Sequence, residues 1–477
     1  MTNNPTAPQN CEKKESDAFC ATWKNGWTKL ADTDCTAIAA YNNEYMAYLD
    51  KSKTERESIH EAIAIAQNAG FVKLETLKTF TPGAKVFFNH RGKALVLAVL
   101  GTESPLNGVL LSAAHVDAPR IDLKMRPLRE DEEFAVLETH YYGGIKKYQW
   151  LQTPLALHGV VCLNNGKTVD IRIGDAPSDP VFFIPDVLPH LGKNQKGKTV
   201  ADAFPGEELD VLIGSQPMAN EEKHAVKKNV LKILNTRYGI TEYDFLSAEL
   251  EMVPAGRSRN VGLDESMIGG YGQDDRVCAY ASLKALTDLQ TTPQKTAIVV
   301  LADKEEIGSA GTTGMTSAFI DRFVEEIIAL AKPNFTSLDS YRVWDKTKAL
   351  SADVNAGVDP IFKSVHEMTN AARLGYGPVV TKYTGSGGKG GANDASAEFM
   401  GEIRCVLDAA NIIWQTGALG RVDEGGGGTV ARDLAARGAD VVDFGVAVIG
   451  MHSLFEVTSK LDCYFMYKAI QAFFEHA

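Results

Sequence analysis

The sequence predicts an α/β protein whose core is interrupted by a mainly β insertion. Short apolar, β-branched runs alternate with helical patterns before about residue 127 and again after about residue 246. Between Leu128 and Phe245 the texture changes to short strand-like pieces separated by Gly, Pro and polar stretches such as Lys193 to Lys198. At 477 residues the chain is too long for one ordinary core. The expected division is a core domain from 11–127 plus 246–477 and an inserted domain over 128–245.

Met1 to Asn10 is polar and reads as unstructured, with no basic stretch leading into an apolar one as a secretion signal would have. Thr54-Glu55-Arg56-Glu57 is a capping box that opens a helix through Ile59, Ala62, Ile63 and Ala66 to a stop at Gly70. Lys85 to Asn89 and Ala94 to Leu100 read as strands joined by the turn His90-Arg91-Gly92-Lys93. Gly108 to Ala114 is a buried strand that ends at His115. Within the insertion, Gly159 to Leu163, Thr168 to Ile173 and Val181 to Ile184 are strand-like. Ala248 to Val253 is a strand leading back to the core, where Ala297 to Ala302, Ala349 to Ala352 and Val441 to Val448 are further strands with helices between them.

Composition excludes several functions. Charged residues make up 23% and the net charge is -12, without the clustered Lys and Arg that phosphate contacts need, so no nucleic-acid partner is expected. No apolar run reaches the roughly 18 residues of a membrane span, so no membrane partner is expected either. The seven cysteines include no C-x-x-C pair, which fits a reducing, cytoplasmic location. Gly385 to Gly391 fails as a phosphate loop because Tyr383 stands where the first glycine belongs and Gly390 follows Lys389. Its glycines, with Gly425 to Gly428, let backbone turn sharply or approach a substrate.

Chemistry concentrates at five places. His115 ends a buried strand, with Asp117 on the same side and able to orient the imidazole. Asp274 and Asp275 precede a helix that carries Val277, Ala281, Ala285 and Leu289 along one line; taken alone, they read as caps of that helix before they read as ligands. Glu305 and Glu306 follow the strand Ala297 to Ala302, Asp353 follows another, and His452 lies just past Val441 to Val448. Two cations about 3.5–4 Å apart need a bridging carboxylate, terminal ligands and one further carboxylate to take a proton. Glu305 and Glu306 can divide the last two tasks. The five positions together offer the nitrogen and oxygen donors that zinc or a similar divalent ion accepts.

These segments, with Lys382 to Ser386, Gly425 to Thr429 and Met451-His452-Ser453, make the chain resemble the aspartyl aminopeptidase/aminopeptidase I family of zinc metallopeptidases. The resemblance runs from about Leu110 to the C-terminus. It implies a three-layer sandwich catalytic domain with a mixed central sheet, interrupted by a dimerisation domain. It also implies an aminopeptidase acting on peptides with two divalent ions per subunit, Zn2+ with Co2+ or Mn2+ as alternatives. Asp274 would bridge the ions, His115 and Asp353 would complete one site, and Glu306 and His452 the other. Glu305 would be the general base, Asp117 the orienter of His115, and the Asp274-Asp275 peptide would be cis. The family further implies a homo-oligomer, a dodecamer built from dimers, in which the insertion lends a substrate-binding histidine to a neighbour. His190 is the candidate for that role and His158 its rival. Differences around Asn355, Asp359 and Gly385 to Gly391 bring the chain nearer a bacterial branch and leave the preferred N-terminal residue, acidic or neutral, open. Two rivals remain at this stage: a related two-metal hydrolase acting on N-acylated amines or C-terminal residues, and a self-assembling scaffold without activity.

Overall fold

The computed structural model describes residue 19 and residues 21–477. The unstructured start expected over Met1 to Asn10, and the beginning of the first domain at 11, lie outside the described residues.

The core is a nine-stranded mixed sheet. Its centre is four parallel strands in the spatial order Thr296–Ala302, Val109–His115, Lys348–Ala352 and Asp440–Gly445. Antiparallel neighbours flank them, Ala94–Val99 on one side and Val379–Thr381 on the other. The central strands read as continuous apolar runs because both faces are covered. Ala297, Val299 and Leu301 point into one hydrophobic cluster, while Ile298, Val300 and Ala302 point into another. That is the two-residue alternation of a strand with no wet face.

Helices close both sides and make three layers. Asp32–Lys51, Gln273–Thr287 and Lys460–His476 contribute to the first cluster, and Phe319–Ala331 and Ser337–Trp344 to the second. The helix Glu55–Asn68 starts where the capping box places it. Thr54 Oγ1 accepts from the Glu57 amide, and the Glu57 carboxylate accepts from the Thr54 amide, both at 3.2 Å. The α/β core read from the sequence and the three-layer sandwich that the resemblance implies are therefore present.

The inserted segment forms a six-stranded antiparallel sheet, in the order Thr168–Ile173, Leu155–Cys162, Ala248–Pro254, Arg120–Asp131, Phe134–Tyr142 and Val211–Gly214. The helix Ala225–Tyr238 packs on it through Val226, Val230 and Leu234. The sheet reaches past 128–245 at both ends, because Arg120–Asp131 and Ala248–Pro254 pair with each other inside it. Only isolated bridges at Phe182, Phe183 and Ile184 stand where Val181 to Ile184 reads as a strand. Pro180 and Pro185 bracket that stretch and cannot donate to a ladder.

A third, five-stranded sheet joins Asn355–Ala356, Ala447–Ile449, Glu456–Ser459, Met267–Gly270 and Arg259–Val261. The run expected as one strand, Val441 to Val448, divides here: Asp440–Gly445 stays in the main sheet and Ala447–Ile449 enters the third. The crossing point is Gly445, where an added Cβ would lie 1.6 Å from the Asp353 carbonyl oxygen. Only glycine allows the two backbones to pass there.

Candidate metal centre

Parallel strands end together, and side chains just beyond those ends converge. His115 closes its strand, Glu305 and Glu306 sit in the turn after Thr296–Ala302, and Asp353 follows Lys348–Ala352. Asp274 enters from the first turn of Gln273–Thr287, where the Asp274-Asp275 peptide is cis. His452 comes from the turn between Ala447–Ile449 and Glu456–Ser459 and holds a left-handed φ of 66°.

Asp274 is the centre of this group. Its Oδ1 lies 3.1 Å from His115 Nε2 and its Oδ2 lies 3.1 Å from His452 Nε2. Asp353 Oδ1 and Glu305 Oε2 each lie 3.9 Å from His115 Nε2, and Glu306 Oε1 lies 3.4 Å from His452 Nε2. Two triads each bring their ligand atoms within 4.8 Å of one another: His115, Asp274 and Asp353, and Asp274, Glu306 and His452. A further combination, His115 with Glu305 and Glu306, reuses His115 and so competes with the first triad instead of adding a site.

Both imidazoles present the same nitrogen to this centre. His115 Nδ1 lies 3.0 Å from the Asp117 carbonyl and 3.3 Å from Asp117 Oδ1, and His452 Nδ1 donates to the Gly144 carbonyl at 2.8 Å. A carbonyl only accepts, so Nδ1 carries the proton in each ring and Nε2 is left to coordinate.

The electrostatics describe a site with too much negative charge. Burial, reinforced by Asp274 and Asp117, pushes the Glu305 carboxyl up to about 7. Burial also raises Glu306 and Asp353 well above the usual carboxylate range, again helped by acidic neighbours. For Asp274, burial is outweighed by its close contacts with the His115 and His452 rings, which hold it low. His452 rises to about 10 because its contacts with Asp274 and Glu306 outweigh burial. Glu306 Oε1 is buried without a hydrogen-bond partner among the described residues, and so is Asp275 Oδ1. An acidic cluster with an unsatisfied inward oxygen and two imidazoles presenting Nε2 is a donor set that fits divalent cations.

The site opens into a cleft of about 450 Å³. Ser309, Asn355, Thr384, Leu419 and Met451 line it, together with Gly426 to Gly428. The two glycine stretches pair as the short ladder Gly385–Ser386 with Gly426–Gly427, so backbone forms part of the cleft wall.

Reasoning from sequence missed the support behind this centre. Glu456, 1% exposed, accepts from the Asp274 amide at 3.0 Å and from the His452 amide at 2.7 Å. It ties together two segments that lie far apart in the chain, and its place four residues after His452 was the available signal. Asp117 is fully buried and accepts from the amides of Glu305 and Glu306, each at 3.2 Å, besides facing His115. The two histidines proposed to serve a neighbouring subunit differ in setting. His190 is exposed in a turn and does not line the cleft of its own chain. His158 is fully buried between Glu57 at 2.9 Å and Asp175 at 3.3 Å.

A family model described as Aminopeptidase I zinc metalloprotease (M18) matches residues 48–474. The chain belongs to the M18 aminopeptidase family. An M18 relative from Borrelia garinii subsp. bavariensis, named a probable M18 family aminopeptidase 1, is 47% identical over 454 residues, covering 95% of this chain and 99% of its own. The crystal structure of the M18 aminopeptidase from Thermotoga maritima matches with a TM-score of 0.93 at 45% identity, covering 96% of this chain and all of that one. The S. cerevisiae mApe1 dodecamer shares the M18 fold, with a TM-score of 0.74 at 20% identity over 92% of this chain and 97% of that one. This M18 protein is therefore a metallo-aminopeptidase, a peptide hydrolase of a zinc family.

Proposed function

We propose that the chain removes N-terminal residues from peptides at a two-cation centre, with Glu305 as general base. In this reading His115, Asp274 and Asp353 hold one ion, and Asp274, Glu306 and His452 hold the other. The observation that carries it is Asp274, whose two carboxylate oxygens face two different imidazoles at 3.1 Å each. When bound, a pair of divalent ions supplies Lewis acidity, polarising the scissile carbonyl and acidifying water toward neutrality.

The remaining work belongs to the side chains. Once the two triads are assigned, Glu305 is the carboxylate left over beside them. Standing beside both triads without belonging to either, it is placed to take a proton from water and give it to the departing amine. Asp117 keeps the Glu305-Glu306 turn and the His115 ring in place through its amide and imidazole contacts. Zinc is the metal of the reading, with cobalt or manganese accepted by the same donors.

The reading extends to assembly and location. The second sheet makes the dimer contact of a dodecamer, and the exposed His190 reaches a neighbouring cleft to bind substrate. The state named for mApe1 supports the dodecamer. Five described cysteines, Cys35, Cys162, Cys278, Cys405 and Cys463, are unpaired thiols, which supports a reducing cytoplasm. No helix among the described residues is long and apolar enough to cross a membrane.

A panel of peptides with free and N-acetylated termini, run with the zinc-loaded protein, tests the activity. Cleavage confined to the free-amine members is expected. Preferential cleavage of the acetylated members would replace this reading with an N-acyl hydrolase.

A further inference from the structure

One strand end of the second sheet stands behind both imidazoles. Tyr142 is the last residue of Phe134–Tyr142 and is 9% exposed. Its hydroxyl donates to Asp117 Oδ2 at 2.7 Å, the same carboxylate that faces His115 and receives the amides of Glu305 and Glu306. Two residues on, the Gly144 carbonyl accepts from His452 Nδ1 at 2.8 Å. Between them Gly143, with φ of 70°, passes so close that an added Cβ would lie 3.3 Å from Glu306 Cβ and 3.4 Å from Pro119.

The segment is itself held from behind. The Arg120 guanidinium lies 4.0 Å from the centre of the Tyr142 ring. Arg120 is buried and pairs with Glu55 at 3.2 Å, Asp122 at 2.8 Å and Glu251 at 3.3 Å. Glu55 belongs to a core helix, while Asp122 and Glu251 belong to the second sheet. The ring therefore has a fixed seat, and its hydroxyl meets Asp117 in one geometry.

We propose that Tyr142 to Gly144 is a positioning element for both histidines of the centre, Tyr142 acting through Asp117 on His115 and the Gly144 carbonyl acting directly on His452. This rests on the reading of His115 and His452 as metal ligands. It gives the second sheet a part in the chemistry of its own chain: displacing this strand end turns both rings and the Glu305-Glu306 turn at once. Outer hydrogen bonds of this kind set the orientation and basicity of a ligating imidazole, and losing one costs about 10–100-fold in metal affinity or activity.

Tyr142→Phe keeps the ring over Arg120 and removes only the hydroxyl. Zinc affinity, measured by competition with a chromogenic chelator, is expected to fall about 10–100-fold, and kcat to fall with KM little changed. The melting temperature of the metal-free protein should stay near that of wild type. Gly143→Ala, strained at a φ of 70° and with a Cβ 3.3 Å from Glu306 Cβ, is expected to weaken zinc binding independently of Tyr142. Unchanged zinc affinity and kcat in both variants would overturn the proposal. So would a lower metal-free melting temperature with unaltered zinc affinity, the signature of a merely structural tyrosine. His115→Ala and His452→Ala, measured alongside, separate the two layers of inference. Weakened zinc binding in these variants with wild-type zinc affinity and kcat in Tyr142→Phe overturns the positioning role alone, whereas wild-type zinc affinity in them overturns the ligand assignment and this proposal with it.

Discussion

Glu456 offers a sharp test of how the centre is held, because its two carboxyl oxygens do two different jobs. One accepts from the Asp274 amide at 3.0 Å and the other from the His452 amide at 2.7 Å, in a side chain that is 1% exposed. Glu456→Gln preserves size and shape but leaves one oxygen; the amide nitrogen can only donate, and it meets a backbone N–H that also donates. A lost bond to a charged group is worth about 1.5–3 kcal/mol, and a buried donor left without a partner costs about 1–3 kcal/mol. The two figures overlap, so a destabilisation of about 2–4 kcal/mol is expected. The damage should also reach the metal, since Asp274 and His452 would both lose their backbone anchor, and zinc affinity is expected to drop by about tenfold or more. Denaturant unfolding of metal-free protein and chelator competition on loaded protein measure the two effects separately. A variant matching wild type in both would show that the anchoring of Asp274 and His452 does not depend on Glu456.

Three further outcomes are expected. Glu305→Gln should keep its zinc content while kcat falls by about 10²–10⁴-fold, the range for a lost general base; near-normal turnover would remove Glu305 from that role. Gly445→Ala would set a Cβ 1.6 Å from the Asp353 carbonyl oxygen, forcing the main-sheet strand and the Asp353 loop apart, so soluble yield and zinc content should both fall; full zinc content with a normal melting temperature would contradict the close crossing. At Glu55 burial opposes ionisation, but Arg120 and Lys93 outweigh it and hold the carboxyl down at about 2. A folded pKa below the unfolded one gives stability that is complete above about pH 4.5 and lost as pH falls toward 2, at most about 3 kcal/mol. Glu55→Gln should flatten that acid limb in pH-dependent unfolding, and an unchanged limb would assign it to other carboxylates.

The parts of the fold legible in the sequence are those where one physical signal dominates. Thr54 to Glu57 announces its helix because the capping box needs only neighbouring residues. The central strands announce themselves because burial on both faces leaves little but apolar side chains, as in Val109–His115 and Thr296–Ala302. The residues brought together at the centre were legible for a related reason: an acid or histidine directly after an apolar strand breaks the pattern at the end where α/β sheets bind ligands.

What was obscured depends on partners distant in the chain. Arg120–Asp131 alternates Ile121, Leu123 and Met125 with charged residues whose partners, Glu55 and Glu251 among them, are invisible along the chain. The second sheet accordingly extends beyond the stretch whose texture changes along the chain. The split of Val441 to Val448 at Gly445 arises from contact with the Asp353 loop, which no local pattern encodes. Glu456 and Tyr142 reach the centre through backbone amides and through another carboxylate, so neither sits in a segment that looks like a ligand motif.

The central claim is that two cations share Asp274. Anomalous diffraction at the zinc edge, from crystals grown with zinc, tests it directly. Two peaks per subunit are predicted, one against His115 and Asp353, the other against Glu306 and His452, with Asp274 touching both. A single peak, or peaks that Asp274 does not join, would contradict the account.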